Sequence, residues 1–596
     1  MHRLPSQTAR FVVEEWLDQG AGSAWARRVQ LLPGEKGVAW QIELQDPTLL
    51  ISSVRLLLPT EFPAVPCRIY VDEGYFLKVP HVESDGHLCL GQRSMPGDYD
   101  DPVSAVVRAL GAVKELLENS RDAGWVQAQF HGERASYWQH LEKAKDSSRR
   151  PAPKRTLVDA SGLRGWAEGS IAAYVPAGSK HRVYRLQVAC AGNVDPHKLA
   201  TRHQWVDGSV VRGKALFVRM PGTELWTPST WPSTYDQLDS LVGRLTGHEC
   251  SVSSWLQKLG VPQSHFVDGH DCAANGSKMQ APPGRRPMLV VLVQDDLAYG
   301  FQLYPSTLPT PGKPNMQPIG TSRVDSDWAL ARDHQLEALH RRRGKRVLLL
   351  GAGSLGSPLA GSLARSGIGT LDIVDSQLME AENTARHTLG MREVANGKAQ
   401  ALASRLMQSI PGIQVNGHLA DAATWVTKHA SPGKYDLVVE CTAESSVRVF
   451  LSQMRASFFG NAPLIHSWTE PMCSAGHVVL SQPEVPWPAD DPADWLVNAS
   501  DLSANDTRIT LPACSAGFHP YAAADIELVA AFAAQRVIAV LDDPRHASTV
   551  WSWVRSSAFF EQLPMAVNTR SIVPESRFAA DSASVTRNLR EVLSPR

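Results

Sequence analysis

The spacing of apolar positions changes several times along the chain, and each change marks a unit. Helical spacing runs through TARFVVEEWLDQ, short strand-like runs follow in GVAWQIEL, LLISSVRLLLP and CRIYVDEGYF, and helical spacing returns in PVSAVVRALGAVKELLEN and GERASYWQHLEKAK. That order predicts a small α+β domain over residues 1–150, closed by KDSSRRPAPKR, whose charge, Ser and Pro content reads as a linker. Over 151–325, strand signals (HRVYRLQVAC, GKALFVRM, RPMLVVLVQ) are separated by Trp- and Pro-rich connections, and STLPTPGKPNMQPIG punctuates the end. An ordered, mixed α/β middle domain is expected there, without a catalytic signature. Over 326–596, RVLLLGAG, SPLAGSLARSG, TLDIVD, GKAQALASRLMQSI and YDLVVECT alternate strand and helix, the signal of a parallel sheet with helical crossovers.

A chain of 596 residues exceeds one hydrophobic core, so a multidomain protein of the α/β and α+β classes is expected. Its 59 basic and 60 acidic residues leave a formal net charge of -1, and no global field draws it to nucleic acid or membrane. The run ELVAAFAAQRVIAVL meets charge well before the ~20 residues a membrane span needs. MHRLPSQTARFVVEEW lacks a signal-peptide core, so a cytoplasmic location is the expectation. The cysteines (Cys67, Cys89, Cys190, Cys250, Cys272, Cys441, Cys473, Cys514) form no C-x-x-C pair, which argues against a zinc ribbon and a secreted disulfide scaffold. Free thiols are therefore available for chemistry.

Gly351, Gly353 and Gly356 follow a buried-type strand and open a helix, so backbone N–H groups can face phosphate oxygens with no Cβ in the way. Asp375 ends the next strand, where its carboxylate can accept ribose hydroxyl bonds. The same fingerprint serves hydride-transferring NAD enzymes, but Asn383, Arg386 and Lys398 follow within one segment. Two fixed cations and an amide near the phosphates suit a reaction that builds charge on phosphorus, which hydride transfer does not.

Asp375, Asn383 eight residues on, Arg386 three later and the following NGKAQA resemble the adenylation domain of ubiquitin-activating enzymes and their bacterial ThiF/MoeB relatives, over about residues 328–545. The resemblance implies a Rossmann-like fold that binds MgATP and dimerises, in which a protein's C-terminal carboxylate attacks the α-phosphorus and pyrophosphate leaves. It further implies that Arg386 and Lys398 neutralise the phosphates, Asn383 helps hold them and Asp375 binds the ribose. VVECTAESS departs from the family: Ala443 stands where an Asp usually helps hold magnesium, leaving Glu440 and Glu444 as metal candidates. The paired C-x-x-C of many bacterial relatives is missing, so no structural zinc is expected.

A thioester conserves the activation of an acyl adenylate for later attack by an amine. Cys441 ends an apolar strand and reads as core, and Cys473 precedes a strand and reads as structural. Cys514 lies in LPACSAGFHPYAAADIELVAAFAAQRV, a loop entering a long helix whose dipole can favour thiolate, and is the candidate thioester residue.

Near the other end, Pro59, Phe62-Pro63 and Pro66 precede a strand, a turn at Pro80, and Gly86 three residues before Cys89. This resembles the ubiquitin-conjugating fold over about residues 10–142 and implies that Cys89 is a thioester nucleophile. His81 then stands at the position of the family's Asn, where an imidazole could donate to an oxyanion.

The order conjugating-like, middle, activating-like resembles fusion proteins of CBASS anti-phage operons. That resemblance implies a donor whose C-terminus is activated, either a CBASS nucleotidyltransferase or a ubiquitin-like protein, and a target protein amine. Two other classes remain open: an NAD-dependent oxidoreductase, and a non-catalytic scaffold that binds a ubiquitin-like protein.

Overall fold

The computed structural model describes residues 5–91, 99–144, 153–176, 184–206, 208–260, 286–295, 297–304, 315–330, 336–503, 507, 509–510, 517–518 and 520–594. They form two compact units: Met1–His197 with Val206–Arg323, and Lys198–Trp205 with Val324–Arg596.

The first unit opens with an antiparallel four-stranded sheet, Ala26–Val29, Val38–Glu43, Ser53–Leu58 and Arg68–Tyr70 in spatial order. Trp40 stands opposite Leu56, and Leu56 opposite Ile69, so one face presents a row of large apolar side chains. Helices Pro5–Asp18 and Pro102–Asn119 cover that face through Val13, Leu17, Val106, Val113 and Leu117, all buried. Each such side chain stabilises by about 1.5–3 kcal/mol relative to exposure. The second helix starts where the sequence signals it: the Asp101 carboxylate accepts from the Ser104 N–H, and Pro102 takes the first turn, where its missing N–H costs nothing.

The same unit holds a mixed eight-stranded sheet with an aromatic core on one face, built from Trp226, Trp231, Trp255, Tyr299 and Phe301. Helix Arg134–Ala144 packs on this sheet, although its sequence reads as part of the N-terminal domain. The Trp138 indole N–H donates to Ile319 O at 2.9 Å. Asn315–Ile319, inside the stretch read as punctuation, is the edge strand that receives it. Pro318 is tolerated there because an edge strand has a side that needs no ladder N–H.

The second unit carries the parallel sheet. Its spatial order is Gln414–Leu419, Thr370–Asp375, Arg346–Leu350, Leu437–Glu440, Leu464–Thr469, Ala475–Ser481, Thr549–Arg555 and Ser582–Asn588. The first five are parallel and the rest antiparallel. The antiparallel extension was not expected from the sequence. Val347 and Leu349 face one core and Leu348 and Leu350 the other, all at 0 % exposure. Burial on both faces is why this strand is a continuous apolar run rather than an alternating one.

From the central strand Arg346–Leu350 the chain winds outward to Gln414–Leu419 and then crosses back to Leu437–Glu440 on the other side. The direction of winding therefore reverses between those two strands, and the crevice at their C-terminal ends is where such sheets bind ligands. No helix among the described residues is long and apolar enough to cross a membrane.

Candidate functional site

The reversal point brings the glycine loop against the Cys441–Glu444 turn. Gly351 has φ +92, and a Cβ there would lie 2.7 Å from the Cys441 carbonyl. A Cβ on Gly356 would lie 2.1 Å from Gly351 O, whereas one on Gly353 would meet nothing within 4 Å. Two glycines thus serve close packing. Gly353 alone faces open space, as a backbone that admits a phosphate must. The loop runs directly into helix Gly356–Arg365, whose N-terminal dipole favours anions.

Asp375 braces this loop: Oδ2 accepts from Ala352 N–H at 2.7 Å and Oδ1 from Gln377 N–H at 2.8 Å. His387 was missed by sequence reasoning. Its Nδ1 accepts from Leu389 N–H at 3.0 Å, so Nε2 carries the proton and donates to Ala352 O at 2.5 Å. Burial lowers its pKa, and Lys398 adds to that, so the ring is held neutral. The residue adjoining Arg386 is thereby tied to the carbonyl next to Gly353.

Lys398 is 6 % exposed and begins helix Lys398–Ser409. A cation at a helix N-terminus opposes the dipole, and its Nζ hydrogen bond goes to a neutral amide, Gln377 Oε1, at 2.7 Å. Lysines are seldom so buried without a charged partner, and both the ammonium and the dipole favour an anion beside them. Asn383 caps its own turn by accepting from Glu380 N–H at 3.1 Å.

Arg386 stacks on Tyr521, 4.6 Å from the ring centroid, and the Tyr521 hydroxyl meets Ser354 Oγ of the glycine loop at 2.7 Å. A cleft of about 440 Å³ opens beside them, lined by Glu382, Ala385, Arg386, Tyr521, Ala522 and Ala523. Tyr521 lies seven residues past Cys514, which itself falls outside the described residues.

Glu440 is wholly buried. Its Oε1 accepts from the Thr442 N–H and hydroxyl, both at 2.6 Å, and Oε2 pairs with His466 Nδ1 at 3.0 Å. It shapes the turn at Ala443, whose φ is +61. Glu444 is exposed at the start of helix Ser445–Gln453. No group of three or more His, Cys, Asp or Glu among the described residues could hold a metal.

Of the six cysteines among the described residues, five are buried and Cys89 is exposed. Burial pushes the Cys67 and Cys473 thiols up to about 12 and raises Cys441 as well, which removes thiolate from those positions. The backbone around Cys89 is pinned on two sides. Leu88 N–H donates to Ile69 O and Val71 N–H to Gly86 O, while Cys89 N–H donates to His81 O at 2.8 Å. Gly86 has φ +81, and a Cβ there would lie 2.2 Å from Val71 O, so only glycine fits.

His81 sits at φ +62, a left-handed conformation in which Asn and His are enriched. Its ring nitrogens face Glu133 Oε2 at 3.3 Å and Gln129 Oε1 at 3.1 Å, and its N–H donates to Tyr137 Oη at 2.5 Å. Those three partners come from helices Ala123–Gly132 and Arg134–Ala144 and the turn between them, more than forty positions downstream, for which no local sequence signal exists.

Residues 326–570 match the model of the ThiF family, and residues 49–146 match prokaryotic E2 family B. A protein of Enterobacter hormaechei, "ATP-dependent ubiquitin transferase-like protein Cap2", is 28% identical over 38% of this chain and 36% of its own length. The match thus spans about a third of that relative. A protein of the same name from Pseudomonas aeruginosa is 22% identical over 73% of this chain and 72% of its own. The crystal structure of E. coli MccB with succinimide aligns at 15% identity and a TM-score of 0.30, covering 41% of this chain and 72% of MccB. The chain joins an N-terminal domain of prokaryotic E2 family B to a C-terminal, Rossmann-like domain of the ThiF family.

Proposed function

We propose that this chain activates the C-terminal carboxylate of a donor protein with ATP and passes the acyl group through Cys514 and Cys89 to a target amine. In the first step a carboxylate oxygen bonds to the α-phosphorus as the bond to pyrophosphate breaks. The Gly353 amide region, Arg386, Lys398 and Asn383 face the phosphates, and Asp375 the ribose. Magnesium, when bound, offsets phosphate charge, and Glu444 is the exposed carboxylate that would help hold it. In the second step the Cys514 thiolate bonds to the acyl carbon and AMP leaves. In the third, Cys89 displaces Cys514 from the acyl carbon. In the last, an amine nitrogen displaces Cys89 as thiolate, losing its proton to solvent.

The observation that carries this reading is the pairing, in one polypeptide, of a cation-lined glycine crevice with a thiol exposed on a pinned backbone. Hydride transfer would leave Arg386, Lys398 and Cys89 unused. The donor is a CBASS nucleotidyltransferase or a ubiquitin-like protein, the protein belongs to anti-phage defence, and the working form is a symmetric dimer.

Incubation with MgATP and each candidate donor, followed by intact-mass measurement without reductant, should show donor adducts on Cys89 that dithiothreitol removes. Cys514→Ala should abolish them while ATP–pyrophosphate exchange persists. A Cys514→Ala protein that still charges Cys89 would refute the relay order, and absence of exchange with every donor would refute the activity.

A further inference from the structure

The middle sheet is linked through helix Arg134–Ala144 to the backbone that carries Cys89. We propose that it braces Cys89, with Tyr137 as the positioning residue that transmits the support. The proposal rests on the reading of Cys89 as the acyl carrier.

Helix Arg134–Ala144 is buried on two sides, with Tyr137 at 4 % exposure and Trp138 at 3 %. Adjacent residues on a helix point about 100° apart, so the two side chains serve different neighbours. Trp138 faces the sheet. It packs edge-on against Trp231, Tyr299 and Phe301 with centroids 5.1–5.3 Å away, and its indole N–H bonds to Ile319 O. The preceding helix, Ala123–Gly132, is tied to the same region by Trp226 N–H donating to His131 Nδ1 at 3.1 Å.

Tyr137 faces the thiol. Its ring packs on Phe130 at 4.9 Å, and its oxygen accepts from His81 N–H and lies 3.4 Å from Glu133 Oε2, to which it can donate. The His81 carbonyl in turn accepts from Cys89 N–H. A path of hydrogen bonds, joined by the helix backbone between adjacent Trp138 and Tyr137, therefore runs from the edge strand through His81 to the backbone of Cys89. Every side chain on it is at least four-fifths buried.

His81 occupies a left-handed conformation that persists only where the surroundings over-determine it, and Tyr137, Gln129 and Glu133 supply that restraint. The functional consequence is alignment, because a misplacement of about 1 Å at a reacting centre can cost about 100-fold in rate.

Tyr137→Phe keeps the ring and deletes the oxygen. Hydrogen–deuterium exchange should show His81 and Cys89 amides in a peptide spanning 79–90 exchanging about tenfold faster, with peptides of the parallel sheet unchanged. Discharge of the Cys89 thioester to free lysine should fall about tenfold at unchanged half-saturation. Trp138→Phe, which deletes the bond to Ile319 O, should speed exchange at 79–90 in the same direction. Unchanged exchange at 79–90 in Tyr137→Phe overturns the brace whatever the discharge rate does, and so does Trp138→Phe loosening 315–319 alone. If the unmodified protein never charges Cys89, the acyl-carrier reading fails, and the exchange data still decide the brace.

Discussion

Gly353→Ala and Gly356→Ala should fail in opposite ways, although the positions lie three residues apart in one loop. At Gly356 the added methyl would stand 2.1 Å from Gly351 O, and the obstacle is backbone with no rotamer to yield. Carbon and oxygen need more than 3 Å, so the loop must move by about 1 Å, and overpacking of this kind costs about 1–3 kcal/mol. For a unit of this size that is a loss of several degrees in melting midpoint. At Gly353 the methyl meets nothing within 4 Å and φ is not in the left-handed region, so the fold should tolerate it within about 0.5 kcal/mol. The methyl should instead occupy the space into which phosphate oxygens come. Loss of even one amide–phosphate bond, a charge-assisted bond of about 1.5–3 kcal/mol, weakens ATP binding about 10- to 100-fold. Scanning fluorimetry and titration calorimetry with ATP measure the two effects separately. The reasoning is refuted if Gly353→Ala binds ATP as tightly as the unmodified protein, or melts as early as Gly356→Ala.

Lys398→Met should leave stability unchanged or raise it, because a buried cation with a neutral partner is lost, while ATP–pyrophosphate exchange falls about 100-fold; exchange within twofold of normal would remove Lys398 from the site. His387 has a folded-state pKa below its ordinary value of 6.5, so the unfolded chain takes up a proton first and acid destabilises the fold. Its contribution is intact above about pH 6.5 and is lost as the pH falls through the folded value, so between pH 7.5 and 5.5 the melting midpoint should fall further in the unmodified protein than in His387→Gln. Glu440→Gln breaks a fully buried network with His466 and Thr442 and should cost about 1–3 kcal/mol of stability in a urea titration. Glu444→Gln should leave stability alone and raise the magnesium concentration needed for half-maximal exchange; no shift would exclude Glu444 as a metal ligand.

What the sequence made legible was local. The run VLLL, the glycine spacing and Asp375 all act within some thirty residues, so strand, loop, helix and next strand could be read directly, and the parallel sheet with them. The strand after Cys473 was legible, but not its antiparallel pairing with Thr549–Arg555, nor the strand Ser582–Asn588 beyond it, since SVTRN mixes polar and apolar positions that only pairing across the sheet explains. Helix Ala123–Gly132 was missed because AGWVQAQFHG lacks a clear apolar stripe; its buried residue is Phe130. Lys398 was legible as a cation beside the glycine-loop segment but not as a buried one, because most lysines on helices are solvated. Tyr521 and His387 act on the glycine loop through bonds spanning 167 and 35 positions, and neither bond leaves a pattern in the chain.

An acyl-bearing thiol faces two demands that pull against each other. It must be reachable by large partners in succession, which calls for exposure, and its carbonyl must meet an amine at about 3–3.5 Å in the right direction, which calls for rigidity. A buried cysteine meets the second demand alone, and the raised pKa values of Cys67, Cys441 and Cys473 show the cost in thiolate. A cysteine on an unsupported loop meets only the first. At Cys89 the side chain is exposed while the backbone carries the constraint, through Leu88 on Ile69, Gly86 on Val71 and His81 on Tyr137. The bonds that position the sulfur therefore lie in the main chain and in helices that the thiol motif does not include. A short motif around the cysteine can single out a candidate atom, and the fold of the whole unit decides where that atom is held.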